Sequence, residues 1–455
     1  MPKQLYELVE QHPNFVLFKN LEGKLILYER LMGTMHDVDD DLSIVEQLRQ
    51  VQKPIQFSIP RKKLEDELQS DWDTLVLEAS ENCNLRCGYC KFGGTYESDR
   101  THSEQLKNMD FTTAMKAFNI FSQHASSTPH LSYFGGEPLL NMDLIMKMLS
   151  PAKDKLPNIT FNLTSNMLLA YAYAKELVEN NILLAASIDG PKKIQDAFRH
   201  MKNGNGSFDL VMRAMNKFAE LNEDYYKTIV LMVTLSDPSK MLELREFFAK
   251  YFPQHEMMIT GVDTRWSTQK LSTYTPEKIK QFTEIVGDLA REYVSVRKSG
   301  KTAEQVDPFL RGYFRQIEVD IRKHNVGPLP ENGKIYPTGA CIPGKRKLYT
   351  SVDGLFHVCE RIGRQMVIGD VENGLEMDMS NNHVQNYVNY RNIVCDDCWN
   401  QRQCGICYVG SLGKEDISLE GTRLYCPSAK DRTLLGLSIV STIDGGNPNV
   451  SMATS

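Results

Sequence analysis

Short apolar runs alternate with amphipathic segments between Asp73 and about Val262. The apolar runs have the length and composition of buried strands: TLVLEAS, HLSYFGG, ITFNLTS, ILLAASIDG, TIVLMVTL and EMMITGV. The segments between them, such as FTTAMKAFNIFSQHA and SFDLVMRAMNKFAEL, carry apolar residues at helical spacing. Repeated strand-helix units predict an α/β protein with a parallel sheet.

The two ends of the chain show other patterns. In residues 1–70, FVLFKN and KLILYER flank a turn at Leu21-Glu22-Gly23, and the helix-like DLSIVEQLRQ follows. This predicts a separate, winged-helix-like module. Residues 276–325 read as helical, the chain is then rich in Gly, Pro and Cys up to Cys426, and STIDGGNPNVSMATS has little to bury. We therefore predict a module at 1–70, an α/β domain at 71–275, a helical linker at 276–335, a cysteine-rich domain at 336–430 and a C-terminal tail at 431–455.

Composition narrows the functional classes. The net charge is −6 and has no long run of one sign, so we expect neither a nucleic-acid partner nor a membrane partner. The N-terminus lacks a secretion signal and no stretch reaches the roughly 20 apolar residues of a membrane span, which predicts a cytoplasmic protein. In that reducing compartment, 10 cysteines in tight groups indicate metal ligation rather than disulfides.

The first group, Cys83, Cys87 and Cys90, has CxxxCxxC spacing on the loop that leaves the first strand. Three thiolates can bind three irons of a cubane and leave the fourth iron without a protein ligand. That iron is free to bind a substrate or cofactor. A structural zinc site is the alternative, but it normally needs paired CxxC elements and four ligands.

With Tyr89 before the last cysteine, this motif resembles that of the radical SAM (S-adenosylmethionine) superfamily. The resemblance implies a 4Fe-4S cluster whose open iron chelates the amino and carboxylate groups of SAM. It implies reductive cleavage of SAM to methionine and a 5′-deoxyadenosyl radical, which removes a hydrogen atom from an unactivated carbon. It also implies a partial parallel (β/α)6 TIM-like barrel and a low-potential reductant such as flavodoxin or ferredoxin.

Polar residues at the ends of later strands agree with this resemblance, because active sites of parallel barrels gather at the carboxyl ends of strands. In Gly135-Gly136-Glu137-Pro138 the glycines would let the backbone approach a ligand, and the resemblance assigns this segment to the SAM amino group. Arg199 resembles an arginine with which relatives bind SAM, and Ser187 resembles the serine that acts with that arginine. Met232-Val233-Thr234 would flank adenine or simply form a buried strand, and ordinary turns or helix caps are the alternative for the polar residues. The predicted cofactor-binding residues are Tyr89, Gly135, Gly136, Glu137, Pro138, Thr164, Ser165, Asn166, Ser187, Asp189 and Arg199.

The other seven cysteines lie between Cys341 and Cys426. Their order resembles the SPASM domain, a cluster-binding extension of some radical SAM enzymes, over residues 336–430. The resemblance implies two auxiliary 4Fe-4S clusters, three clusters in all, with these ligands: Cys395, Cys398, Cys404 and Cys426 for one, and Cys341, Cys359 and Cys407 for the other. Two structural zinc ions are the alternative.

This region departs from the SPASM pattern in two places. Two residues separate Cys404 from Cys407 where relatives have three, and Lys334-Ile335-Tyr336-Pro337 lacks a further cysteine that fully ligated relatives carry. The missing cysteine predicts an open iron, which would bind a substrate thiolate because thiolates are preferred ligands of such clusters. Glu360, directly after Cys359, resembles an acidic residue that acts as a base in sulfatase-maturing enzymes, and we name it as the candidate catalytic base. A solvated carboxylate is the alternative.

The function follows from these implied cofactors. If a substrate radical forms a new bond without consuming another radical, one electron must leave, and auxiliary clusters offer a route for it. Residues 1–70 resemble a leader-recognition element, in which a leader peptide adds a strand to an exposed edge, although a stabilising cap is the alternative. We predict a maturase that installs an oxidative crosslink, a cysteine sulfur-to-carbon thioether as in sactipeptides and ranthipeptides, in a ribosomally synthesised precursor peptide. The alternatives are a carbon-carbon crosslinking maturase, an anaerobic sulfatase-maturing-type enzyme and a non-catalytic cluster-bearing electron carrier.

Overall fold

The structure is a computed structural model. It describes residues 6–39, 41–51, 55–92, 107–263, 265, 273–324, 328–362, 364–413 and 416–445.

The N-terminal residues form a four-stranded antiparallel meander followed by a helix. The elements are β1 (Glu7–His12), β2 (Phe15–Lys19), β3 (Leu25–Glu29), β4 (Thr34–Asp37) and α1 (Ser43–Gln50). The predicted hairpin is confirmed as β2 and β3, whose turn places Gly23 at φ 86°, a value that favours glycine. The predicted helix is also present, but the sheet has two strands more than the pattern indicated.

This module is not separate from the rest of the chain, contrary to the sequence prediction. One face of its sheet, including Phe18 and Tyr28, packs against Trp399 and Leu434 in a buried cluster. The opposite face packs on α1. The next elements, β5 (Gln56–Phe57) and α2 (Arg61–Glu67), pack against the C-terminal region. The reason is that the sheet face with Phe18 and Tyr28 is apolar and is buried against Ile321 and the C-terminal region.

The parallel core has the predicted strand-helix alternation. It contains β6 (Trp72–Ser80), α3 (Phe111–Ser122), β7 (Ala125–Gly135), α4 (Met142–Lys155), β8 (Thr160–Ser165), α5 (Ala174–Glu179), β9 (Leu183–Ser187), α6 (Lys192–Phe198), α7 (Phe208–Leu221), α8 (Glu223–Thr228), β10 (Val230–Leu235), α9 (Met241–Tyr251) and β11 (Met257–Gly261). All the predicted apolar runs are strands, and β6 to β11 lie side by side in chain order and in parallel. The carboxyl ends of these strands therefore meet at one edge of the sheet.

Two long helices follow, α10 (Pro276–Lys298) and α11 (Pro308–Lys323). The helical prediction for this span is confirmed, but the helices are not a simple linker. Leu289, Tyr293 and Phe314 are buried in the same hydrophobic core as the parallel sheet.

The cysteine-rich region continues the central sheet, which the sequence analysis did not predict. Its elements are β12 (Lys334–Ile335), β13 (Lys347–Thr350), β14 (Leu355–His357), β15 (Val367–Asp370), β16 (Gly374–Leu375), α12 (Met377–Cys395) and α13 (Leu419–Ile443). β13 pairs in parallel with β6, and β14 to β16 extend the sheet in antiparallel steps, while β12 pairs with β5. The region therefore shares a sheet with the parallel core.

The prediction of a tail from residue 431 is wrong for the first part of that span. α13 runs to Ile443, and its side chains Leu434, Leu437 and Ile439 are buried. Gly436 allows this packing, since a Cβ there would lie 2.5 Å from the Ile321 side chain on α11. Residues 446–455 lie outside the described residues. Within the described chain, no helix is both long enough and apolar enough to cross a bilayer.

Candidate functional site

The segment Gly135-Gly136-Glu137 holds the loop that carries Cys83, Cys87 and Cys90, here called the cysteine loop (residues 81–92). The Gly136 N–H donates to the Ser80 carbonyl at 2.7 Å, and the Glu137 N–H donates to the Asn82 carbonyl at 2.7 Å. A Cβ on Gly135 would lie 2.1 Å from the Ser80 oxygen, and one on Gly136 would lie 2.2 Å from the Asn82 oxygen. Because these glycines lack a Cβ, the backbone of the cysteine loop can lie close to them. The sequence predicts a ligand at this place, and that contact stays a prediction.

The other side of the cysteine loop lies against the segment after α6. The Arg86 N–H donates to the His200 carbonyl at 2.7 Å, and the Gly88 N–H donates to the Phe198 carbonyl at 2.9 Å. The Arg86 guanidinium also donates to the Cys83 carbonyl at 2.8 Å. Backbone hydrogen bonds on both sides therefore fix the loop relative to the strand ends.

The Glu137 carboxylate joins the ends of β7 and β8. It is 1% exposed and accepts from the Ser165 hydroxyl at 2.8 Å and the Asn166 N–H at 2.7 Å. Burial raises the pKa of Glu137 to about 7, although these donors oppose the rise. Its oxygens are used inside the protein, so its immediate role in the structure is to position β8.

Asn166, which directly follows β8, contacts the cysteine loop. Its side-chain nitrogen lies 3.6 Å from the Cys83 Sγ and donates to the Asn84 Oδ1 at 2.7 Å. Thr164 is half-buried on β8. Ser187 is half-buried on β9 and lies beside Met232 of β10. Pro138 is buried and begins the turn that follows Glu137. Contact of these residues with a cofactor stays a prediction.

Tyr89, Asp189 and Arg199 form a buried chain of hydrogen bonds. The Tyr89 hydroxyl donates to the Asp189 carboxylate, and the Arg199 Nη1 donates to the Tyr89 oxygen at 2.7 Å. Asp189 also accepts from the Thr234 N–H at 3.0 Å and is fully buried. Asp189 therefore links β9, β10 and the cysteine loop. The Arg199 Nε is buried and has no hydrogen-bond partner among the described residues.

The donor set of the cysteine loop fits an iron-sulfur cluster. Burial, and to a smaller degree the nearby Cys87 thiol, raises the pKa of Cys83 to about 11 and that of Cys90 to about 12. Such thiols ionise together only beside strong positive charge, which cluster irons supply. Arg199 adds positive charge, since it opposes the rise of the Cys87 pKa that burial causes. Its unpartnered Nε is also a donor for an anionic ligand beside the cluster.

A second set, the four-cysteine site, consists of Cys395, Cys398, Cys404 and Cys426. Cys395 ends α12, Cys398 lies in the next turn and Cys426 lies on α13. Burial, and to a lesser degree the Cys404 thiol, raises the pKa of each of the other three. Cys404 therefore lies with this set, despite its short spacing to Cys407.

Two cations accompany the four-cysteine site. The Arg391 Nε lies 3.3 Å from the Cys395 Sγ, and Lys430 opposes the pKa rise that burial causes in Cys398 and Cys426. Each cation is four residues from a cysteine on the same helix. A bound four-thiolate cluster is anionic, so these cations fit it.

The three-cysteine site, Cys341, Cys359 and Cys407, is more open. Cys341 is exposed, and the other two cysteines are half-buried. Burial and then the Cys407 thiol raise the pKa of Cys341. A Cβ on Gly339 would lie 2.3 Å from the Ile406 oxygen, so the Cys341 segment packs tightly on the loop that carries Cys407.

Glu360 lies at the three-cysteine site and is 8% exposed. It accepts from the Lys347 Nζ at 2.7 Å, and the Cys359 thiol donates to its Oε2 at 3.4 Å. Burial raises the pKa of Glu360, but the Lys347 ammonium outweighs it and leaves the pKa below its usual value. Glu360 is therefore an ionised carboxylate beside a predicted cluster ligand.

Lys91 connects the cysteine loop to the three-cysteine site. It follows Cys90, and its Nζ donates to the Arg361 carbonyl at 2.8 Å, two residues after Cys359. The two sites are therefore neighbours in space.

No group of three or more Cys, His, Asp or Glu side chains in the described ranges is arranged to hold a single metal ion. A cluster binds each thiolate through a different iron, so its ligands stand further apart than those of one ion.

Sequence reasoning missed several residues that complete these sites. Arg86 and Gln195 support the cysteine loop and Asp189, while Lys347, Arg391 and Lys430 supply charge. The helical spacing of Arg391 to Cys395 and of Lys430 to Cys426 was a usable signal. Nothing local in the sequence indicated Lys347, because the central sheet places it.

Residues 77–248, which include the cysteine loop and the ends of β6 to β10, match the Radical SAM superfamily. The chain contains a radical SAM domain. Such a domain implies SAM and a 4Fe-4S cluster as cofactors.

Curated relatives agree with this domain. A cysteine-type anaerobic sulfatase-maturating enzyme of Clostridium novyi is 27% identical over 183 residues, which are 39% of this chain and 47% of that enzyme. An uncharacterized protein of Methanocaldococcus jannaschii is 26% identical over 230 residues, which are 50% of this chain and 74% of that protein. The chain is thus homologous to anaerobic sulfatase-maturating enzymes, and its match spans about half the length of the Clostridium novyi enzyme.

Solved structures share the fold. Native anSMEcpe with bound AdoMet superimposes with a TM-score of 0.60 and 18% identity, covering 82% of this chain and 99% of that chain. The same protein with AdoMet and Cp18Cys peptide gives the same TM-score of 0.60. The radical SAM domain and most of the remaining chain therefore have an α/β fold similar to that of anSMEcpe.

Proposed function

We propose that this chain is a radical SAM maturase that joins a cysteine sulfur to a carbon atom within a precursor peptide. One C–H bond and one S–H bond break, and one C–S bond forms, so the peptide loses two hydrogens. SAM would supply the radical that takes the C–H hydrogen atom, Glu360 would accept the thiol proton, and the remaining electron would leave to an auxiliary cluster. The observation that carries this proposal is the incomplete three-cysteine site, with its exposed Cys341, next to the cysteine loop. A site with a missing protein thiolate has room for a substrate thiolate.

A peptide substrate is supported by the relatives and by the N-terminal sheet. The relatives are named sulfatase-maturating enzymes, and anSMEcpe was solved with a Cp18Cys peptide. Strand β1 is an outer strand of the N-terminal meander, and its Leu8 and Val9 are 41% and 48% exposed. An extended leader peptide would add to such an edge through main-chain hydrogen bonds, as in a winged-helix-like recognition module.

The cofactors that fit the chain are SAM and three 4Fe-4S clusters. We assign Cys83, Cys87 and Cys90 to the radical SAM cluster at the end of a partial (β/α)6 barrel, and the two C-terminal sets to auxiliary clusters of a SPASM-like domain. When bound, SAM and its cluster supply the radical that abstracts hydrogen. A reductant such as flavodoxin or ferredoxin would provide low-potential electrons.

The chain's own residues bind, orient and accept protons. Tyr89, Asp189 and Arg199 hold the cysteine loop, and the unpartnered Arg199 Nε is available for the anionic carboxylate of SAM. Thr164 and Ser187 line the same strand edge. Glu360 is kept ionised by Lys347 and would take up the thiol proton through Oε2.

A second candidate is a sulfatase-maturing-type activity, which the names of the curated relatives favour. The N-terminal sheet and the missing auxiliary cysteine favour the crosslinking reaction instead. A carbon-carbon crosslink would use the same residues apart from the open auxiliary site.

Mass spectrometry of a matured peptide tests the proposal. The chain is co-expressed anaerobically with a short cysteine-containing peptide encoded beside its gene, and Cys83→Ala serves as the inactive control. Loss of two hydrogens together with loss of one alkylatable thiol is the expected result. Loss of two hydrogens with all thiols retained would indicate a carbon-carbon bond, and modification of only a sulfatase-derived peptide would favour the second candidate. An unchanged peptide without SAM cleavage would favour an electron carrier.

A further inference from the structure

Arg391 is a fully buried cation that has no carboxylate partner among the described residues. Its side chain is 0% exposed on α12. Its Nε donates to the Cys395 Sγ at 3.3 Å, and its Nη1 donates to the Tyr387 hydroxyl at 2.8 Å and the Ile406 carbonyl at 3.1 Å. Among the described residues, Arg391 forms no ion pair with Asp or Glu, and its buried Nη2 has no partner. Burying a charge is costly unless an opposite charge accompanies it.

The surroundings fix the guanidinium in place. It lies over the Phe57 ring at 5.0 Å and the Tyr387 ring at 5.7 Å. Phe57 is itself held by Asn392, whose side chain accepts from the Phe57 N–H at 2.7 Å and donates to its carbonyl at 3.0 Å. Arg391 therefore cannot turn towards water to be solvated.

The missing negative charge is available from the neighbouring cysteines. Cys395 and Cys404 act electrostatically on Arg391, and Cys395 accepts its hydrogen bond. When four thiolates bind a cubane, their charge exceeds that of the iron-sulfide core, so the loaded four-cysteine site is anionic.

The three-cysteine site differs in this respect. Two cations act on its Cys341: Arg346 is exposed, and Lys347 is paired with Glu360 at 2.7 Å and is 48% exposed. Cations that are this exposed, or already neutralised by a carboxylate, contribute little to the stabilisation of a neighbouring negative charge.

We propose that Arg391 is the fixed counter-charge of a cluster at the four-cysteine site and makes that cluster more readily reduced than it would be without the arginine. This rests on the cluster assignments of the proposed function but not on its substrate. Each added electron makes the cluster more negative, so a buried cation and an N–H···S hydrogen bond stabilise the reduced form more than the oxidised form.

The test is a redox titration followed by electron paramagnetic resonance. The chain carries Cys83→Ala, Cys87→Ala and Cys90→Ala, so that only auxiliary clusters remain, and Cys426→Ala identifies the signal of the four-cysteine site. We expect Arg391→Gln to disfavour reduction of that cluster about tenfold, a shift of its midpoint potential by about 59 mV to more negative values. Arg391→Lys should shift it less, because it keeps the charge and loses the bond to Cys395.

Lys347→Gln is the matched control, and it should leave the midpoint of the four-cysteine site unchanged. The proposal is overturned if Arg391→Gln retains its iron and leaves that midpoint unchanged. It is also overturned if both Arg391 variants lose the cluster, because Arg391 would then be a structural residue. The titration uses neither SAM nor peptide, so its result does not depend on whether the crosslinking proposal is correct.

Discussion

The two C-terminal cysteine sites lie on either side of the loop 404–407 but differ in burial and charge. The four-cysteine site has buried Cys395 and Cys404 and a buried arginine that forms no ion pair with a carboxylate among the described residues. The three-cysteine site has an exposed Cys341 and an ionised Glu360 paired with Lys347. We propose a redox centre at the first site and a substrate-binding centre at the second. The same ligand chemistry would then serve different tasks according to what surrounds it.

The largest effect that separates the sites is expected from Glu360→Gln. If Glu360 is the base of the open site, its loss slows crosslink formation by about 10²–10⁴-fold, the usual contribution of a general base. Iron content and SAM cleavage should stay at the wild-type level. Rates are measured by mass spectrometry under single-turnover conditions.

Lys347→Gln is the control for Glu360→Gln. It leaves the carboxylate in place but removes the ammonium that lowers the pKa of Glu360, so its rate should fall at neutral pH and recover as the pH rises. The rate of Glu360→Gln should stay low at every pH. A wild-type crosslinking rate in Glu360→Gln would show that Glu360 is not the base of the open site.

Cys404→Ala and Cys341→Ala should differ in stability rather than in iron content. Each variant should lose one cluster, from about twelve to about eight irons per chain. Cys404 packs with Ile406 and Ala429 in a buried cluster, so its truncation should cost the metal-free chain about 2 kcal/mol, whereas exposed Cys341 should cost almost nothing. Urea unfolding measures the difference, and equal unfolding free energies would contradict it.

The smallest effect is expected at the contact between the two sites. In Gly339→Ala the new Cβ would meet the Ile406 oxygen at 2.3 Å, whereas a Cβ on Gly405 meets nothing within 4 Å. Gly339→Ala should destabilise the chain by about 1 kcal/mol and lower the iron occupancy of the three-cysteine site. Gly405→Ala should behave as wild type in both respects, and a similar iron loss in the two variants would show that the contact is unimportant.

Much of the parallel core could be predicted because its strands are short, mostly apolar runs and the segments between them carry apolar residues at helical spacing. The short strands β13 to β16 could not, since β13 depends on pairing Lys347 with Thr74, far away in the chain. The end of α13 was missed because the prediction rested on STIDGGNPNVSMATS, whereas the apolar residues just before it continue the helix and Gly436 lets it pack closely on Ile321.

The candidate site shows the same limit. The motifs located the cysteines and the polar strand ends, but a strand-end position does not reveal where a side chain points. Contact of Glu137 and Asp189 with SAM stays a prediction, whereas the structure shows that their carboxylates join strands and hold the cysteine loop. Such hydrogen bonds join distant parts of the chain and become visible only in the folded protein.

The most direct measurement is SAM cleavage by the anaerobically reconstituted chain. With dithionite and SAM, the wild-type chain should form 5′-deoxyadenosine. The variant with Cys83→Ala, Cys87→Ala and Cys90→Ala should form none, while it keeps the roughly eight irons of the auxiliary clusters. Formation of 5′-deoxyadenosine by that variant at the wild-type rate would contradict the assignment of the cysteine loop as the radical SAM site.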